Sequence, residues 1–159
     1  ECLRKELATM TERASVAIDN LLRDYVPFRD GESPVAQAFA AAVAAHPKAT
    51  RFFAVGNGVQ HERGGFSLYD VKAAPNTQVV RKIDARADSA ALAARARLAM
   101  TGAMSVTMFP VGQVEPGADG QMHQRRTAAE VTALVELWKY YFVKAGAGHV
   151  SVTSFVPVE

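Results

Sequence analysis

A helix-forming stretch, a glycine turn and a β-rich pentad occur twice in this chain, ending once in Ser105-Val-Thr-Met-Phe and again in Ser151-Val-Thr-Ser-Phe. The first unit runs from an alanine-rich stretch after Asp88-Ser89, through Gly102, into a strand at Met104 to Val111. Gly102 sits where a helix C-terminus favours glycine. The second opens with Thr127-Ala-Ala-Glu130, a capping box with threonine at the cap and glutamate three residues on. Its helix carries Val131, Leu134, Val135, Trp138, Tyr141 and Phe142 on one face, with Glu136, Lys139 and Tyr140 turned away. Gly146 and Gly148 end it before a strand at Val150 to Val158. A helix passing at once into a strand, twice over, implies strand–helix–strand crossovers, which set their strands parallel in one sheet.

The rest of the chain is placed around that unit. Leu3, Leu7, Met10, Ala14, Ile18, Leu21 and Tyr25 recur at spacings of three and four, the stripe of a long helix over residues 1–26 that Pro27 stops. Such a helix spans roughly 33 Å and either covers the sheet or projects to an interface. Ser33-Pro34 reads as a helix start and His46-Pro47 as its end, with Val35, Phe39 and Val43 facing inward. Arg51 to Val59 and Phe66 to Val71 read as two strands of a hairpin, with a turn at Gly64-Gly65. A short strand follows at Gln78 to Ile83. The expected fold is therefore α/β, a mixed α+β arrangement in one domain over residues 1–159. Its mixed sheet has five strands, opened by the hairpin, continued by two helix crossovers, and covered by the long N-terminal helix and a second short helix.

Composition narrows the function classes. Hydrophobic residues make up 49% and charged residues 21%, which supports a packed core and excludes intrinsic disorder. A net charge of +2 is small for a protein that neutralises phosphates, so nucleic acid is disfavoured as a partner. No run reaches the length of about 20 apolar residues that spans a bilayer. The single cysteine, Cys2, rules out an internal disulfide and leaves the compartment open. The chain starts on Glu1 rather than Met, which reads as a processed or excised start.

The search for chemistry finds little catalytic machinery. His46, His61, His123 and His149 show no metal-ligand spacing, and no G-x-S-x-G elbow is present. Gly56-Asn57-Gly58 follows a strand but completes neither a P-loop nor a dinucleotide fingerprint. No catalytic residue, metal or cofactor is therefore assigned. Two polar segments stand out as ligand-binding candidates. One is the hairpin tip with His61 and Arg63. The other is the long loop from Gly112, in which His123, Arg125 and Arg126 run into the N-terminus of the Thr127 helix. Helix starts offer unpaired N–H groups and partial positive charge, so these residues suit a carboxylate or phosphate.

Three functions follow as expectations. The first is a non-catalytic interaction or assembly subunit, pairing with a protein partner or with itself through the N-terminal helix and exposed loops. The second is a sensor domain for a small anionic ligand, since a leading helix, a second helix and a sheet with helical excursions resemble the outline of sensory ligand-binding domains. That likeness is one of fold outline alone. The third is an enzyme whose site assembles only in space.

Overall fold

The computed structural model describes residues 33–62, 64–70, 79–113 and 126–154. Their elements run α1 (Val35–Ala45), β1 (Arg51–Val55), α2 (Ala85–Ala96), β2 (Ser105–Phe109), α3 (Ala128–Lys144) and β3 (His149–Val152). The three strands form one sheet in the order β1-β2-β3, with both pairs parallel. The strands expected at Met104 and Val150 are thus parallel, over Ser105–Phe109 and His149–Val152, and are joined by the Thr127 helix. Side chains alternate across a strand, so the register sorts the residues onto two faces. Phe52, Val106 and Val150 share one face with Ala54, Met108 and Val152. Phe52, Val106, Met108 and Val152 are buried there in the same core as the inward residues of the helices.

The sheet corrects the expected architecture. Three parallel strands replace the five-stranded mixed sheet, and the fold is mixed α/β in that smaller form. The predicted hairpin from Arg51 to Val71 is not formed, because backbone groups just after β1 are committed to β2 and to the residues that follow it. Gly56 N donates to Phe109 O at 3.0 Å, and Gly112 N donates to Asn57 O at 2.8 Å. The antiparallel turn lies further on. Leu68 N donates to Gln60 O at 2.9 Å, and single bridges join His61 to Ser67 and Tyr69 to Val80. These bridges do not extend into strands, because side chains take up the backbone groups a ladder would use. Tyr69 N donates to Ser67 Oγ at 3.0 Å, and Arg81 Nε donates to Ser67 O at 2.8 Å. Of the strand expected at Gln78 to Ile83, the described residues show the bridge at Val80, and Gln78 lies outside them. The long helix expected over residues 1–26 lies outside the described residues.

Each helix shows how its ends are fixed. At α3, Thr127 Oγ1 accepts from Glu130 N at 3.2 Å while Glu130 Oε2 accepts from Thr127 N at 2.7 Å, the reciprocal box expected. Its far end closes with Ala147 N donating to Phe142 O and Gly146 N to Val143 O, with Gly146 at φ +98°. The alanine-rich helix starts earlier than Asp88-Ser89 suggested. Asp84 is the cap and accepts from Arg86 N and Ala87 N, whereas Asp88 turns inward onto Arg81 with oxygens at 2.6 and 3.1 Å. This helix packs chiefly against α3, and its small side chains serve that contact. At α1 the start at Pro34 carries no cap from its own segment.

Trp138, Tyr141 and Phe142 of α3 fill the centre and are buried. Phe39 of α1 meets Phe142 edge-on at 4.6 Å, and the Trp138 and Tyr141 rings stand at 5.4 Å. Burial pushes the Tyr141 phenol up to about 12. The Trp138 indole N–H donates to Gly58 O at 2.7 Å, tying the helix to the segment after β1. Gly58 has φ +72°, and a Cβ there would meet Trp138 Nε1 at 3.0 Å, Val111 Cγ1 at 3.1 Å and Met108 Cε at 3.3 Å. A left-handed backbone costs a side-chain-bearing residue about 1–2 kcal/mol and overpacking a further 1–3 kcal/mol. Gly58→Ala is expected to lower the unfolding free energy by about 2–4 kcal/mol in a urea titration. Gly56→Ala, with nothing within 4 Å of the added methyl, is expected to change it by less than about 1 kcal/mol.

Candidate functional site

The polar segment that follows β1 organises two clusters, one on each side of its turn. Gln60 is fully buried and supplies the cap that α1 lacks: its Oε1 accepts from Ala36 N at 2.9 Å. Its Nε2 donates to Gln37 Oε1 at 2.9 Å and to Glu62 Oε1 at 2.8 Å. Gln37 Nε2 donates to the same Glu62 oxygen at 2.6 Å, and Arg95 of α2 stands 3.6 Å from the other. The amide of Gln60 therefore has both ends engaged, as a buried polar group requires. This cluster is structural, since all of those bonds except the one from Gln60 to Glu62 within the turn fasten α1 or α2 to it.

The second cluster gathers on Tyr69. His61 exchanges backbone hydrogen bonds with Ser33, and its Nδ1 lies 2.9 Å from Ser67 Oγ. Its ring meets Tyr69 edge-on at 5.8 Å. Arg126, directly before the Thr127 cap, interacts with the Tyr69 side chain. Burial pulls the Arg126 guanidinium below its usual range, opposed by Tyr69 and by the nearby Glu130 carboxylate. The two candidate segments read from the sequence therefore meet, His61 from one and Arg126 from the other. Arg63, His123 and Arg125 lie outside the described residues. His46 ends α1 and His149 starts β3, both exposed.

A half-buried guanidinium, an imidazole and a phenol offer N–H and O–H donors to an anion. The His61–Ser67 contact is not a nucleophile pair in this geometry, because Ser67 Oγ accepts from Tyr69 N and sits 3.4 Å from Tyr69 O, closing a local turn. Among the described residues no group of three or more His, Cys, Asp or Glu side chains is placed to hold a metal ion. No helix among them is long and apolar enough to cross a membrane.

A further exposed surface is not marked in the sequence reading. The second face of the sheet carries Arg51, Ser105 and His149 in one row, Phe53, Thr107 and Ser151 in the next, and Val55 with Phe109 in the last. Phe53 is 69% exposed and Val55 is 76% exposed. Parallel sheets ordinarily have both faces covered. The signal was present in Arg51-Phe-Phe-Ala-Val, whose unbroken apolar run is the pattern of a strand meant for burial on both sides.

Comparison with known protein families, with characterised proteins and with solved structures finds no match for this chain. The functional reading therefore rests on its own residues.

Replacing Gln60 tests the structural half of this region. Gln60→Leu leaves the Ala36 N–H, the Gln37 amide oxygen and Glu62 Oε1 without this partner, at about 1–3 kcal/mol for each group that stays buried and unmet. A fall in unfolding free energy of about 2–4 kcal/mol is expected by chemical denaturation, against under about 1 kcal/mol for the partly exposed His61→Ala.

Proposed function

We propose that the domain is a non-catalytic interaction module that self-associates through the open face of its parallel sheet. The observation that supports this reading is the exposure of Phe53 and Val55 on a sheet type that is normally covered. Phe53 stands beside the shorter side chains of Thr107 and Ser151 in its register row. A second copy turned about a two-fold axis brings its own Phe53 over those shorter side chains, and each copy then contributes the same patch. The basic row of Arg51 and His149 lies at one end of the face, so antiparallel stacking keeps the two basic rows apart. The helical stripe from Leu3 to Tyr25, the interface expected from the sequence, lies outside the described residues and is not required by this reading. Sedimentation equilibrium of the whole chain is expected to show a mass rising toward that of a dimer with concentration. Phe53→Asp, which removes an exposed ring without touching the core, is expected to weaken association by at least about tenfold, an effect of about 1.4 kcal/mol. A monomer mass across the accessible range overturns the proposal.

A second reading is favoured by the meeting of His61 and Arg126 on Tyr69. In it the domain takes a small anion at that cluster, as a ligand-binding sensor does. Calorimetric titration with inorganic phosphate or acetate is the check. Saturable heat that falls several-fold in Arg126→Gln supports the reading, and an isotherm unchanged by the substitution ends it.

A further inference from the structure

Beyond the sheet face and the Tyr69 cluster, a groove runs between the start of α2 and the last turns of α3. It has a volume of about 340 Å³ and is lined by Arg86, Ser89, Tyr140, Val143 and Lys144. Its apolar surface comes from the Tyr140 ring and from Val143, which is 62% exposed. The charge comes from Arg86 and Lys144. The Arg86 guanidinium lies 5.2 Å from the centre of the Tyr140 ring, and its Nε stands 3.3 Å from Tyr140 Oη. That double contact holds the cation against the aromatic wall in place of a free swing into solvent. The hydrogen bond to Tyr140 and its partial charge hold the Arg86 guanidinium more firmly protonated than usual.

The nearby carboxylates leave this positive edge available. Asp84, which acts on Arg86 electrostatically, spends its Oδ1 on the Arg86 and Ala87 amides. Glu136 acts on Arg86 more weakly than Asp84 does. Ser89 Oγ donates to Arg86 O and so stiffens the first turn of α2 under the guanidinium. An apolar wall with two cations beside it suits an anionic group attached to an apolar one, and a carboxylate is the simplest such ligand. Arginine offers paired N–H donors to such a carboxylate and lysine a compact point charge. The size of the groove is at the lower end of small-molecule sites.

We propose that this groove binds an amphiphilic carboxylate, with the apolar group on Tyr140 and Val143 and the carboxylate between Arg86 and Lys144. The same chemistry is offered by a free aryl-alkanoic acid and by the C-terminal residue of a peptide. The test is a two-dimensional amide NMR titration of the whole chain with 3-phenylpropionate, with 3-phenylpropionamide, and with the tripeptide Ser-Gly-Phe bearing a free C-terminus. The expected result is saturable shifts centred on Arg86, Tyr140, Val143 and Lys144 from at least one of the two acids. The neutral amide is expected to bind at least fivefold more weakly. The acid that binds more tightly identifies the source. In the double variant Arg86→Gln, Lys144→Gln, both exposed positions, the spectrum stays dispersed and acid affinity falls at least fivefold. The proposal is overturned if neither acid gives saturable shifts, if amide and acid bind alike, or if the shifts centre elsewhere. A spectrum unchanged for the free acid with the peptide alone binding assigns the groove to chain termini and sustains it.

Discussion

A buried indole bound to the carbonyl of a left-handed glycine sets the geometry on which the remaining structure depends. Trp138 comes from the middle of α3, and Gly58 lies just past the end of β1. The bond between them fixes the distance of the helix from the strand, and the missing side chain at Gly58 lets Met108 and Val111 close in on the same point. Moving the helix outward would strand a buried N–H and a buried carbonyl together, a cost well above that of an average hydrogen bond. The consequences extend outward from there. Holding the chain at Gly58 delivers Gln60 to the bare start of α1 and His61 to Tyr69. It also prevents β1 from folding back on the following segment, which leaves β2 as its partner.

The parts of the fold legible in the sequence are those in which neighbours along the chain decide the outcome. The Thr127 and Glu130 box, the α3 stripe and the glycine end at Gly146 all depend on residues within a few positions of one another. The second helix, between Pro34 and His46, was legible for the same reason. What failed depended on distant partners. Phe52 and Phe53 make a good strand for a hairpin or for a parallel sheet, and only Val106 and Thr107, far along the chain, decide between them. The cap of α1 was placed at Ser33, whereas Gln60 supplies it from another segment. Asp84 caps α2 while Asp88, four residues on, carries an equal local signal, and only the pairing of Asp88 with Arg81 separates the two.

The candidate sites divide in the same way. His61 and Arg126 were chosen for their chemistry and their place in polar segments, and their common contact is Tyr69, which no local pattern marked. The open sheet face is not legible locally, because Arg51-Phe-Phe-Ala-Val suits a hairpin equally well, and there one apolar face suffices. Tyr140, set apart in sequence as the aromatic on the outer side of its helix, lies in the groove with Arg86, a residue from a different helix start. Residue chemistry was therefore readable, whereas its grouping required the fold.

The parallel register also governs the order in which the molecule can assemble. Arg51 lies beside Ser105, and Ser105 beside His149, so each pairing must wait for a whole helical excursion to be drawn closed. None of the three described strands can be nucleated by a tight turn to its neighbour. Helices α2 and α3, by contrast, carry their caps within their own first turns and can start to form from local contacts. Their mutual packing then shortens the loops that the strands have to close, lowering the entropy lost when the sheet zips together. During that interval Arg51-Phe-Phe-Ala-Val is an unpaired apolar strand, and chain collisions at this stage carry the greatest risk of aggregation.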